Sequence, residues 1–499
     1  MKRKLLSVLL TLCLAFSLLP TAALAEEGEA ARTGDLTYTT ADERISGFTY
    51  TSGTITINAE NVTVENVTFG DGARLEVNTP GRFTLKNCTF NGKTEVRTPV
   101  TLNVGSATVT GNTFNGTKED GTPSYYNAIE FAVSSGNKLS SATLSNNIFE
   151  AAIKNNYFST YYYADNAVIT AENNVIKLAN RGSNAIRISN VTNSNVTFNL
   201  NNNSYEFSDA SGSSEYEGFI ILQDFTKKSG NTEDFSKVTI NISNLTSPSD
   251  ASRLFYVWED SVGLVSDNNP VIKGDSSIEK FFAAKVGDTS YYKTLPEAIA
   301  AAQDGDTITL LKDCSSERVN LESKCITIDL NGNTLTSTSA YGVMFCAKNG
   351  HKITVNGTKE GSKLVGTLMV TAETDGHIEI NGGTYESSQY CPIYINGSVS
   401  TDNSTLTVKN ATITASNSGS NQDTGCGVYL AGYSTSAFEN TTVTAPSTGI
   451  EIRAGRLTLT NCNVTGGSGK VTADANGNGT TVKNAALAIS QHTTKKPID

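Results

Sequence analysis

Residues 61–90 read NVTVENVTFGDGARLEVNTPGRFTLKNCTF, and they say nearly the same thing twice. Val62-Thr-Val-Glu-Asn66-Val-Thr-Phe69 returns as Phe83-Thr-Leu-Lys-Asn87-Cys-Thr-Phe90, 21 residues later. Each copy alternates apolar and polar residues over four or five positions, the period of a half-buried strand, and then turns at an asparagine. Further copies run from Ala107 to Phe114, Ala142 to Phe149 and Ile169 to Ile176, with looser ones around Asn202 and Asn244. In the C-terminal half the turn asparagines are Asn331, Asn356, Asn381, Asn410, Asn440, Asn461 and Asn484, spaced 21 to 30 residues apart.

A period in the low-to-middle twenties is what three short strands and three turns occupy when a chain winds once around a solenoid. Coils stacked at about 4.8 Å place each residue over its counterpart in the next coil. Recurring Phe, Val and Ile then stack inside, and recurring Asn can form an amide ladder at a turn. The expectation is an all-β chain in which Asn331, Asn356 and Asn381 share one row. On these residues the sequence resembles the right-handed parallel β-helix repeat proteins of the pectin-lyase-like type, in their exported bacterial surface form, over most of residues 50 to 490. That resemblance implies a solenoid fold. It implies no particular activity, because such a fold hosts unrelated functions.

The chain opens MKRKLLSVLLTLCLAFSLLPTAALA, with basic Lys2, Arg3 and Lys4, an apolar run, and the small-x-small site Ala23-Leu-Ala25. Residues 1–25 therefore read as a secretory signal peptide. The mature chain keeps 35 basic and 49 acidic residues, a net charge of −14, and has no basic stripe, so nucleic acid is a poor partner. No later stretch is long and apolar enough for a membrane span. Seven cysteines remain, none in CxxC pairs, and with three scattered histidines they offer no metal site; no cofactor is expected. Cys391-Pro-Ile-Tyr and Cys426-Gly-Val-Tyr align, so these two should stack in successive coils, where a disulfide and a reduced pair of buried thiols are both compatible with the spacing.

The asparagine rhythm lapses between about 250 and 325. Within the gap, Leu295 to Gln303 is the one convincing short helix, with Pro296 in its first turn, and it is well placed to cap the start of a second solenoid. The reading is two β-helix units, 26–282 and 283–499. No C-terminal cap is legible before HTTKKPID, so either the last coils cap themselves or the second unit is cut short as part of a longer protein, the second being the expectation.

A second recurring strand should point one residue outward per coil: Glu130, Lys154 and Arg187 in the first unit, Tyr394, Tyr429 and Glu451 in the second. Glu451 and Arg453 share one strand and are the only catalytic candidates, and weak ones, since neither the acid cluster of a calcium-dependent lyase nor paired hydrolase carboxylates can be found. Asp304 and Asp306 read as turn residues. Ring-rich segments suit sugars better: Tyr157, Tyr161, Tyr162 and Tyr163 in loops, Tyr394 and Tyr429 on the outward stripe, and Trp258 beyond it. The expectation is an exported, non-catalytic surface or secreted protein that binds a polysaccharide or a host or cell-envelope glycan, or acts as a rigid spacer. The alternative is a polysaccharide lyase or glycoside hydrolase acting on an acidic polysaccharide.

Overall fold

The structure is a computed structural model describing residues 31–132, 137–160, 163–189, 195–209, 217–223, 235–251, 253–257, 270–371, 374–396, 403–416, 425–476 and 479–499. The expected signal peptide of residues 1–25, Tyr161, Tyr162 and Trp258 lie outside the described residues. The chain groups into two compact units: Met1–Tyr162 with Asn174–Arg187 and Glu206–Gly212, and Tyr163–Asn173 with Ile188–Tyr205 and Ser213–Asp499. The expected junction near 283 falls inside the second of these.

In the first unit the repeat stacks on itself as its sequence requires. Val62 pairs with Phe83 and Val64 with Leu85, in parallel register. Phe83 and Leu85 pair in turn with Ala107 and Val109, and these with Ala142 and Leu144. The phenylalanine that closes each copy does the same. Phe69, Phe90, Phe114 and Phe149 are fully buried. Their rings stack with centroids 4.5, 4.4 and 4.9 Å apart and nearly parallel planes. Each such contact contributes about 0.5–1.5 kcal/mol beyond the area it buries. The two sentences of the opening stretch are thus two neighbouring coils.

The asparagines divide into two roles that the sequence reading merged. Asn66, Asn87, Asn146 and Asn173 take φ of 53°, 52°, 55° and 56°, the left-handed turn conformation, and Gly111 replaces them in the third copy at 68°. Asparagine is among the few side chains that enter this region at low cost. The next residue points inward: Val67, Cys88, Asn112, Asn147 and Asn174, all buried. There the amides form a ladder. Asn112 Nδ2 donates to Asn147 Oδ1 at 3.0 Å, and Asn147 Nδ2 to Asn174 Oδ1 at 3.0 Å. The same nitrogens reach the carbonyls of Leu85 and Val109 at 3.2 and 3.0 Å. The ladder ends where Cys88 N donates to Asn112 Oδ1 at 2.9 Å.

In the second unit the parallel solenoid is clearest from Thr307 onward. Two seven-stranded parallel sheets, Cys314–Ser316 to Asn463–Thr465 and Val319–Leu321 to Leu487–Ile489, flank a third parallel face. That face runs from Thr307–Leu310 through Ile326–Asp329, Lys352–Gly357, His377–Gly382, Ser404–Lys409 and Ser434–Glu439 to Arg456–Thr460. Leucine, isoleucine and valine from all three faces make one core. The architecture is the expected all-β parallel β-helix. Asn356 does sit over Asn381, but Asp329, not Asn331, occupies that row. Asn331 instead sits in the Asn331-Gly332 turn, at φ of 49°. Around Asn381 the positive φ is carried by Gly382 and Gly383, which shifts the asparagine back onto the strand. The exposed amide ladder expected at a turn exists further on, where Asn461 donates to Asn440 at 2.6 Å and Asn440 to Asn410 at 3.2 Å.

The lapse between 250 and 325 has a structural cause. Ala284–Val286 pairs antiparallel with both Ser290–Tyr292 and Thr307–Leu310, so it covers an edge that would otherwise template another strand. The helix follows at Leu295–Ala301, and a capping box starts it: Thr294 Oγ1 accepts from Glu297 N while Glu297 Oε2 accepts from Thr294 N. Lys324 Nζ closes its other end on the carbonyls of Ile299 and Ala302 at 2.5 and 2.6 Å. A 3-10 turn, Ser276–Phe281, precedes it and was not anticipated. At the far end, a hairpin of Thr472–Asn476 and Gly479–Lys483 is followed by Leu487–Ile489, which adds to the Thr448–Ile452 strand. Pro497 and Asp499 then accept from Gly455 N and Leu457 N on the last coil. This cover was invisible in the sequence because it lacks the repeat's alternation.

Replacing Asn147 by Ala removes the middle rung and leaves buried donors of Asn112 without their acceptor. The expected loss is about 1–3 kcal/mol. It is read as a lower midpoint in urea unfolding with an unchanged far-ultraviolet circular dichroism spectrum.

Candidate functional site

The sheet that carries the outward stripe of the second unit is built in register. Cys346, Met369, Tyr394, Tyr429, Glu451 and Ala488 follow one another as partners across Val343–Ala347, Thr367–Val370, Ile393–Ile395, Cys426–Leu430, Thr448–Ile452 and Leu487–Ile489. The expectation that Tyr394, Tyr429 and Glu451 share a row holds. Their exposure to solvent does not. Tyr394 is 7% and Tyr429 1% exposed, and Glu451 and Arg453 are at 0%. The outward side chains of this face form a second buried layer, in which Cys391, Tyr394, Cys426, Tyr429 and Ala431 cluster with Met369 and Tyr390 against them.

The charges inside that layer neutralise each other. Arg453 Nε donates to Glu451 Oε1 at 2.8 Å. Ser490 Oγ donates to the same oxygen at 3.2 Å, and Cys426 Sγ to Glu451 Oε2 at 3.6 Å. The Arg453 guanidinium carbon lies 5.1 Å from the centre of the Tyr429 ring, a cation–π distance. His492 N reaches the Arg453 carbonyl at 3.2 Å. Burial pushes the Glu451 carboxyl up, against the pull of Arg453. Burial, with Arg453 nearby, pushes the His492 ring down. Both Glu451 oxygens are engaged and neither meets solvent. The two catalytic candidates therefore sit together, but as an internal pair that ties the segment of Ser490 and His492 to the sheet.

From this pair a row of rings leads to the surface. Tyr429 and Tyr394 stack at 5.0 Å, Tyr390 meets Tyr394 edge-on at 6.1 Å, and Tyr341 meets Tyr390 edge-on at 6.4 Å. Tyr341 is 67% exposed. It sits in the turn before Gly342, whose φ of +68° strains any residue with a Cβ and where that Cβ would meet the Gln389 side chain at 3.0 Å. Sequence reasoning missed Tyr341 and Tyr390 because both stand in turns outside the repeat.

The other sequence candidates are dispersed. Tyr163 is buried, edge-on to Phe198 at 5.9 Å, so it is not the loop ring expected. Tyr157 falls in the strand Ile148–Thr160, and its side chain lies outside the described residues. In the first unit Glu130 pairs with Thr101 and Ser159, not with Lys154, because the register shifts along the long strand that follows Phe149. Asp304 and Asp306 serve turns, accepting from Cys325 N and Gln303 N. A surface cleft of about 570 Å³ is lined by Lys118, Asp120, Thr122, Asn180, Ser208 and Asp209, all in the first unit. Thr122 donates twice to Asp120 and holds its carboxyl below the usual range, and Lys118 is 3.2 Å from Glu95. Among the described residues no group of three or more His, Cys, Asp and Glu side chains could hold a metal ion. No described helix is long and apolar enough to cross a membrane.

No family model matches the chain, and no curated protein does. Several solved chains are similar to it, among them two of the PL6 family alginate lyase AlyGC, one of them a point mutant. The mutant covers 88% of this chain and 95% of its own, at 9% identity and a TM-score of 0.18. The other covers 95% and 98%, at 8% identity and a TM-score of 0.19. A likeness of that size transfers no residue and no reaction.

Arg453→Met should destabilise the protein by about 3–5 kcal/mol at neutral pH, because it strands a buried carboxylate. Glu451→Gln tests the carboxyl itself. Its raised pKa means that its stabilisation is fully present below the ordinary glutamate value of about 4.3 and is lost as pH rises through the raised value. The stability deficit of Glu451→Gln relative to wild type should therefore be largest in acid and narrow with rising pH, as read by denaturant titrations at several pH values.

Proposed function

We propose that this chain is an exported, non-catalytic β-helix protein that binds glycan where its outer aromatic layer reaches solvent. It is built from two solenoid units that join near residue 283, and its rigid stack also serves as a spacer. The observation that carries the reading is the row Tyr429, Tyr394, Tyr390, Tyr341, which begins at a buried cation and ends in an exposed ring. Exposed tyrosine offers a flat apolar face and a polar edge, which matches the alternating character of a sugar ring. The inner rings hold Tyr390 in place, so little side-chain entropy is lost on binding. Export is supported by the leader-like opening of residues 1–25. The alternative, a lyase or hydrolase on an acidic polysaccharide, draws on a shared fold alone. It also lacks an accessible carboxylate at Glu451, whose side chain is fully buried.

Screening the mature chain on a glycan array should give weak binding to a subset of polysaccharides. Tyr341→Ala should weaken it about fivefold, as expected for one stacking contact of about 1 kcal/mol. Tyr390→Ala should weaken it at least as much, with circular dichroism unchanged for both. Absence of any bound glycan would leave only the spacer role. Release of unsaturated product absorbing in the near ultraviolet from uronate polymers, abolished by Glu451→Gln, would overturn the non-catalytic reading.

A further inference from the structure

Two cysteines of the outer layer occupy equivalent positions in adjacent coils. Ile393 pairs with Val428 and Tyr394 with Tyr429, so Cys391 and Cys426, each two residues earlier, meet at the start of the same strand pair. Both are buried, at 0% and 2% exposure, in one cluster. Their side chains touch: the Cys426 thiol is pushed well up by its hydrogen bond with Cys391, by burial and by Glu451. Adjacent parallel strands lie about 4.8 Å apart, inside the range of Cα separations that a disulfide spans.

Other cysteines lack such a neighbour among the described residues. Cys314 pairs with Leu335, and Cys346 lies between Asn320 and Met369. Cys325 Sγ accepts from Lys352 N, Cys462 Sγ donates to the Thr460 carbonyl, and Cys88 lies under Asn112. The arrangement is thus specific to one pair out of the seven that follow the leader.

We propose that Cys391 and Cys426 are a cross-linking site, joined by a disulfide that staples two successive coils beneath the tyrosine row. Two S–H bonds break and one S–S bond forms. The two electrons and two protons pass to a small-molecule disulfide, which is reduced to two thiols. The exchange goes in two steps. One protein thiol attacks the reagent and releases the first small thiol, and the second protein thiol then attacks the mixed disulfide and releases the other. At each step the attacking thiol gives its proton to solvent, and the released small thiolate takes one up. Because both sulfurs are buried in the finished coil, the bridge closes while the chain folds. An oxidising compartment, as the leader implies, would preserve it.

The test is to refold the reduced full chain in a mixture of oxidised and reduced glutathione. Remaining thiols are then alkylated, and the protein is digested without reduction. Mass mapping should find one linked pair of peptides, carrying Cys391 and Cys426, with the other cysteines alkylated. Recovery of both as alkylated thiols, or of either joined to a different cysteine, would overturn the proposal. A second measurement uses stability. Under oxidising conditions Cys391→Ser, Cys426→Ser and the double variant should all melt several degrees below wild type and close to one another. Added reductant should bring wild type down to their level. A wild-type midpoint that ignores reductant sinks the idea, and this reading needs no variant to fold.

Discussion

Parallel in-register stacking is the constraint from which the rest of this structure follows. Every inward residue has the equivalent residue of the next coil directly above it. A side chain must therefore suit its own coil and two neighbours. Phenylalanine meets that demand at Phe69, Phe90, Phe114 and Phe149 by ring stacking. A polar residue can occupy the interior only if its counterparts supply what water would have. Asn112, Asn147 and Asn174 do so: the first two each donate to the next amide, and all three donate to a strand carbonyl. An isolated buried asparagine would leave unpaired groups costing about 1–3 kcal/mol. A column of them costs little.

How much of this was legible follows from where the period of two holds. The copies at Val62, Phe83, Ala107 and Ala142 declare strands, register and core directly, because inward and outward residues alternate. Alternation stops at the turn. A residue at φ near +55° reverses the local direction, and the residue after it points inward whatever the count predicts. The doublets Asn146-Asn147 and Asn173-Asn174 therefore hide one turn residue and one core residue of the same type. In the same way, the glycines after Asn381 take over the left-handed conformation and move the asparagine row. One sequence pattern can serve two backbone solutions, and spacing alone does not separate them.

The candidate site was half legible for a different reason. Alternation says which way a side chain points from its own sheet, but not what lies beyond the sheet. Tyr394, Tyr429 and Glu451 do point outward in one row, and segments from elsewhere in the chain cover them. Tyr390 packs edge-on against Tyr394, and Ser490 bonds to Glu451. A signal for this was present. Val343 to Ala347 reads Val-Met-Phe-Cys-Ala, apolar at both parities, and every residue in it is buried. Strands covered on both faces lose the alternation of half-exposed ones. Cys426 to Leu430 carries the same mark, and all five of its residues are buried too.

Burial also changes what the Glu451–Arg453 pair can mean. Two charges taken out of water lose several kcal/mol of solvation each, and their mutual attraction offsets this only when geometry and further hydrogen bonds are good. Here the carboxylate has Arg453, Ser490 and Cys426, and the guanidinium has the Tyr429 face. Such a pair specifies where a segment must sit, because any other placement strands a charge. Its natural role is to fix the strip of chain around Ser490 and His492 on the sheet. The tyrosines between it and the surface inherit that rigidity: Tyr429 lies against the cation, Tyr394 against Tyr429, Tyr390 against Tyr394. Recognition at the exposed end would then depend on charges that never meet the ligand. The carboxylate and guanidinium, both fully buried, face each other and not the solvent.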